Sequence, residues 1–284
     1  KVVIYGDYDV DGVCSITVLK ECLDLFMPKV DYYIPNRFRE GYGLNVDAIR
    51  AISEMGCQLL ITVDCGIASL EEIELAKKLG MDVLVTDHHQ PGKALPNAVA
   101  LVNPKLDPST GNELAGVGVV FQLVRALSQT LTDIDPLKWL DVVALATVAD
   151  IVPLLGDNRI LVKEGMKLLE ETVRPGLKAL IDTSGLSRKK LEYWHIGFVL
   201  APRLNAAGRM EEATAAVELL LASSYQEAEV LAERLTILNT TRQAIEGDIF
   251  KEAQDEAAYR VDQGDKMLVL AKEGWHQGVL GIVA

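Results

Sequence analysis

Five short apolar runs, "VVIYG", "VDYYIP", "QLLITVD", "MDVLVTD" and "AVALVNP", alternate with amphipathic stretches from residue 1 to about residue 103. Several of the runs lack polar alternation, as strands buried on both faces do. The stretches between them, at 13–26, 44–55 and 69–80, carry helical spacing. This alternation predicts a doubly wound parallel α/β sheet, a fold that places ligands at the carboxyl ends of its strands. From about 114 to 222 the pattern turns mainly helical, in "LAGVGVVFQLVRALSQTL", "PLKWLDVVALATVADIVPL", "RILVKEGMKLLEET" and "EEATAAVELLLA". One long helical pattern follows over 225–260, with Leu231, Leu235, Leu238, Ile245 and Ile249 in its stripe, and predicts a linker helix. "KMLVLAKEGWHQG" predicts a new strand and loop. The expected division is 1–222, split into a parallel α/β part (1–110) and a mainly helical part (111–222), then a linker helix at 223–262 and the start of a further domain at 263–284.

The chain has 284 residues, 49% of them hydrophobic, enough for a sizeable core and more than one domain. It opens at Lys1 inside a strand-like run and closes inside an apolar, glycine-punctuated one, so a fragment of a longer protein is expected. A net charge of −13 argues against a general electrostatic grip on nucleic acid, though not against a local basic groove. Cys14, Cys22, Cys57 and Cys65 have no C-x-x-C spacing, which excludes an obvious zinc ribbon and fits reduced thiols in the cytoplasm. No apolar run approaches the length of about 18 residues that a membrane span requires.

Acidic and imidazole residues recur where the predicted strands end. "GDYDVDG" places Asp7, Asp9 and Asp11 at alternate positions after the first strand. Asp64 follows the third, Asp87, His88 and His89 follow the fourth, and Asp150 ends a helical pattern in "ATVADIVPL". Like charges crowded in this way need a cation between them. Each cluster alone reads as a turn or a helix cap; three strand ends converging on one rim of a parallel sheet read as a metal site. A carboxylate-rich set with imidazole suits Mn²⁺ or Mg²⁺. An EF-hand loop counted from Asp7 would need Glu at its twelfth position, where Val18 stands. A haloacid-dehalogenase-type phosphatase loop would leave "TDHH" unexplained and would want threonine in place of Val13.

The ordered set "DYDVDG … VDCG … TDHH … VADIVPL … APRLNAAGRM … GWHQGVLGIVA" resembles the DHH phosphoesterase superfamily, and within it the RecJ branch of single-strand-specific exonucleases. Other branches carry His four residues before the first metal-binding Asp; here that position is Tyr5, and Asp7 lies inside the loop instead. The resemblance implies two divalent ions, Mn²⁺ or Mg²⁺, bridged by Asp64. Asp9 and Asp7 would serve one ion, and Asp11, His88 and Asp150 the other. His89 is implied near the leaving group, as a catalytic residue that orients the phosphate or donates a proton. Asp87 is expected to support an imidazole. Arg37, Arg203, Asn205 and Arg209 are implied to contact phosphates. Gly116 and Gly118 fit helix packing as well as phosphate cradling; Trp139, Trp194, Tyr32, Tyr33 and His195 are expected in the core.

The activity implied is 5′→3′ removal of 5′-mononucleotides from single-stranded DNA in repair and recombination, in the cytoplasm. The implied partners are single-stranded DNA, single-strand-binding protein and a helicase, with no membrane, and the protein is expected to be a monomer. Two other readings stand beside it: a phosphodiesterase for short oligonucleotides or cyclic dinucleotides, and a non-catalytic scaffold that binds single strands.

Overall fold

A computed structural model describes residues 1–107, 113–131, 133–187 and 189–284. Strands β1 (Val2–Gly6), β2 (Val30–Tyr33), β3 (Leu59–Val63), β4 (Asp82–Thr86) and β5 (Ala100–Val102) form one sheet in the order β2-β1-β3-β4-β5. Every pairing is parallel, with Val2 opposite both Val30 and Leu59 and Leu59 opposite Asp82. All five strands fall within the apolar runs that predicted them.

Alternation along β1 shows why the sheet is covered on both faces. Val2 and Ile4 join one apolar cluster with helices α1 (Val10–Leu23) and α4 (Gly116–Ser128); Val3 and Tyr5 join another with α2 (Val46–Glu54), and α3 (Leu70–Lys78) packs on that second face. Strand order reverses between β1 and β3, so the crevice at their carboxyl ends is the topological switch point of the sheet. Asp7 and Asp64 are the residues that follow those two ends.

α1 begins three residues before its expected start. Asp9 caps it, its Oδ1 accepting from the backbone N–H groups of Asp11 (2.9 Å) and Gly12 (3.1 Å). Gly12 is required there, because a Cβ would stand 2.4 Å from the Asp7 carbonyl oxygen.

The helical part comprises α5 (Leu140–Ala149), α6 (Gly156–Glu170), α7 (Pro175–Thr183), the single turn α8 (Tyr193–His195), a π-helical turn at Ile196–Leu200, α9 (Ala201–Met210) and α10 (Thr214–Leu221). The expected boundary at 110/111 lies outside the described residues. α11 (Tyr225–Asp262) is the long helix anticipated, capped at Ser224 by a bond from Glu227 N. α12 (Gln277–Val283) ends the chain.

Two expectations fail. Residues 267–271 form no strand; Met267 and Val269 are 82% and 76% exposed, and among the described residues no strand pairs with them to take up their backbone groups. Trp194 is half-exposed rather than core, with its indole N–H bonded to Glu192. Trp139 and His195 are buried as expected, Tyr32 and Tyr33 only partly. The Trp139 indole N–H donates a hydrogen bond to Glu21 Oε2 (2.6 Å).

Candidate metal centre

Among the described residues, three sets of side chains bring ligand atoms within 4.8 Å of one another: Asp7, Asp9 and Asp64; Asp11, His88 and Asp150; and Asp64, His88 and His89. Asp64 belongs to two of them. The loop after β1, the end of β3, the end of β4 and the carboxyl end of α5 therefore meet in one place.

Each side chain is held there by local structure. Asp64 adopts φ +60°, a left-handed conformation, with its N–H on the Thr86 carbonyl (3.0 Å). Its carboxylate lies against Gly116, where a Cβ would stand 2.7 Å from Oδ1, so glycine at the start of α4 makes room for it. Asp11 accepts from the Gly116 and Val117 N–H groups at 2.5 and 2.8 Å, the open amides of that same helix start. His88 is buried, with Nε2 at 3.1 Å from Asp64 Oδ1 and Nδ1 at 3.7 Å from Asp150 Oδ2. Asp87 braces the loop. Its Oδ1 accepts from the His88 and His89 N–H groups and lies 2.8 Å from His89 Nδ1, while Oδ2 accepts from Ile67 N–H.

The electrostatics of this arrangement want positive charge. Burial, then the neighbouring carboxylates, holds Asp11 and Asp64 well above the ordinary carboxylate range. The same causes raise Asp7 to about 7 and Asp150 to about 6. Burial pushes His88 down to about 4, which leaves its imidazole neutral and able to act as a ligand. Asp7 Oδ1, Asp64 Oδ1 and Asp150 Oδ2 are buried without a hydrogen-bond partner. Buried polar atoms of this kind are rare unless something occupies them, and oxygen-rich sets with one neutral imidazole fit Mn²⁺ or Mg²⁺. The cysteines stay outside the chemistry: all four are buried and free, and burial raises the Cys14 and Cys65 thiols.

The other expected site residues lie around this centre in different ways. The Arg37 guanidinium sits 4.9 Å from the centroid of the Tyr8 ring, beside the metal loop. Asn205 Oδ1 accepts from Val10 N–H (3.1 Å), fixing the start of α1. Arg203 reaches the Val199 carbonyl and the Thr236 hydroxyl, tying the π-helical turn to α11. Arg209 Nη1 donates to the Gly278 carbonyl (3.2 Å). Gly116 has a specific job, Gly118 only a packing one against Leu114.

Two residues escaped the sequence reading. The Tyr42 hydroxyl lies 3.2 Å from the His89 ring nitrogens and 3.4 Å from the Asp64 carbonyl oxygen. Asn103 donates to the His89 carbonyl oxygen (2.9 Å). The signal for Tyr42 was its setting between Gly41 and Gly43, both at positive φ, which turn the loop toward the site. For Asn103 it was a polar residue directly after β5, level with the other strand-end ligands.

Comparison with known proteins identifies the family. Residues 1–147 match the model of the "DHH family, N-terminal domain". The single-stranded-DNA-specific exonuclease RecJ of Bacillus subtilis is 47% identical over 289 residues, covering 100% of this chain and 36% of that protein. Its Escherichia coli counterpart is 41% identical, covering 100% of this chain and 52% of that protein. The chain thus spans between about a third and a half of these relatives. A crystal structure of exonuclease RecJ bound to manganese superposes with a TM-score of 0.92 at 37% identity, covering 100% of this chain and 71% of that one.

Proposed function

Because the chain belongs to the DHH family, we propose that it is the nuclease part of a metal-dependent exonuclease acting on single-stranded DNA. The observation that carries this reading is the shared position of Asp64, which belongs both to the all-carboxylate set with Asp7 and Asp9 and to the set with His88 and His89, at the switch point of the sheet. Asp7, Asp9 and Asp64 would hold one divalent ion, and Asp64, Asp11, His88 and Asp150 a second. Two such ions supply the positive charge an in-line phosphodiester displacement requires and lower the pKa of water at the site.

The chain's own side chains do the rest. Asp87 fixes the tautomer of His89 by accepting a hydrogen bond from Nδ1–H, which leaves Nε2 for the substrate. The hydrogen bond to Asp87 raises the His89 pKa, which favours the protonated imidazole that a leaving oxygen would draw on. The Tyr42 hydroxyl, 3.2 Å from both ring nitrogens, also packs on the ring. Arg37 and Arg209 flank the metal loop, where forked guanidiniums match the oxygens of a strand phosphate. Asn205 serves the same end by fixing α1 against α9, and Arg203 by tying the turn that precedes α9 to α11.

The RecJ relatives are named for single-stranded DNA, and the proposal carries that substrate to this chain. It includes 5′→3′ release of 5′-mononucleotides, a role in repair and recombination in the cytoplasm as a monomer, and single-strand-binding protein and a helicase as partners. It also keeps the division at 1–222, 223–262 and 263–284. The test offers a long single strand, a duplex, a dinucleotide and pyrophosphate to the protein with Mn²⁺. Mononucleotides from the long single strand alone support the reading. Turnover of only the dinucleotide or pyrophosphate keeps the metal site but assigns another DHH substrate, and turnover of none leaves a binding scaffold.

A further inference from the structure

α9 is clamped between two backbones. A Cβ on Gly208 would stand 2.6 Å from the carbonyl oxygen of Tyr8 in the metal loop, and one on Gly278 would stand 2.1 Å from the carbonyl oxygen of Arg209. Neither position admits a side chain without moving a backbone. One turn earlier on α9, Asn205 accepts from Val10 N–H. Arg209 is joined to α12 twice, by that backbone contact and by the bond from Nη1 to the Gly278 carbonyl. The segment carrying Arg37 meets the same turn: the Phe38 ring lies edge-on to His276 at 5.6 Å, and its Cζ would be 3.1 Å from a Cβ on Gly278. Burial, then the guanidiniums of Arg37 and Arg242, lowers the Arg209 pKa, so positive groups converge where an anion would relieve them.

We propose that Gly278 is a positioning residue for Arg209: seating α12 on α9 fixes the guanidinium beside the metal loop, and capture of a strand phosphate depends on that seating. The proposal rests on the exonuclease reading and deepens it. An arginine has five N–H donors. Committing one of them to the Gly278 carbonyl fixes the plane from which the others reach a phosphate. Sliding α12 away releases that plane and leaves the metal ligands where they are.

A double-variant cycle tests this with Gly278→Ala, Arg209→Ala and the pair. Binding of a 5′-phosphorylated, 3′-labelled single-stranded oligonucleotide is measured with Ca²⁺, alongside Mn²⁺ affinity, and turnover is measured with Mn²⁺. Arg209→Ala should weaken DNA binding about tenfold, the worth of a charge-assisted hydrogen bond. Gly278→Ala should weaken it several-fold and raise KM while keeping kcat and Mn²⁺ affinity. The pair should bind no worse than Arg209→Ala alone. Losses that multiply in the pair, parental binding by Gly278→Ala, or joint loss of DNA and Mn²⁺ affinity in Gly278→Ala each overturn the proposal. If the parent cuts single strands while Gly278→Ala binds normally, this inference alone fails; a parent that neither binds nor cuts takes the exonuclease reading down with it.

Discussion

Replacing Asp7 with Asn probes the charge problem that the ions would solve. The Asp7 carboxyl is 3% exposed, one of its oxygens has no partner, and burial followed by the Asp9 charge raises its pKa from 3.8 to about 7. Keeping it ionised in the metal-free fold at pH 8 therefore costs about 4 kcal/mol relative to the unfolded chain. Because the folded-state pKa is the higher one, this group favours the fold fully below the unfolded value and loses that advantage as pH climbs through the folded one. With EDTA present, Asp7→Asn should gain about 4 kcal/mol on the parent between pH 4 and pH 8, read from urea unfolding at each pH. Taking the difference removes His88, which acts in the opposite sense: its pKa is lowered from 6.5 to about 4, so the fold gains from it as pH rises through that interval. Saturating Mn²⁺ should reverse the order at pH 8, since the ion stabilises the parent more than the variant. A difference between variant and parent that stays flat from pH 4 to pH 8 would refute the reasoning.

Three further outcomes are expected. Gly116→Ala places a methyl group 2.7 Å from Asp64 Oδ1, so Mn²⁺ affinity by calorimetry should drop at least tenfold while the far-ultraviolet spectrum is kept. Asn205→Ala removes the acceptor that α9 offers to Val10 N–H; the loss should be about 1 kcal/mol in urea unfolding, with a larger fractional fall in turnover than in stability. Asp87→Asn withdraws the charge and hydrogen bond that raise His89, so the alkaline limb of the kcat–pH profile should move to lower pH, a shift that Tyr42→Phe should not produce.

The strands were legible because β1, β3 and β4 are buried on both sides and read as unbroken apolar runs. The candidate ligands were legible for a related reason: in a parallel sheet, residues that follow strand ends share one rim, so Asp7, Asp64 and His88 could be placed together before any contact was known. The partners of those ligands were not legible. Asn205 and Val10 are 195 positions apart, and the pairing exists only because α9 crosses the metal loop. Gly116 looked like helix packing, yet its amide and its missing side chain serve Asp11 and Asp64. The apolar run at 267–271 resembled a strand because composition registers β-propensity alone, whereas a strand also requires a neighbour for its backbone groups.

The most direct test of the two-ion centre is release of labelled mononucleotide from 5′-labelled single-stranded DNA with Mn²⁺, measured for the parent and for Asp64→Ala side by side. Steady release by the parent and a loss of at least a thousandfold, about 4 kcal/mol of barrier, in the variant are expected, because Asp64 would serve both proposed ions. Asp64→Ala turning over near the parental rate would contradict the two-ion centre.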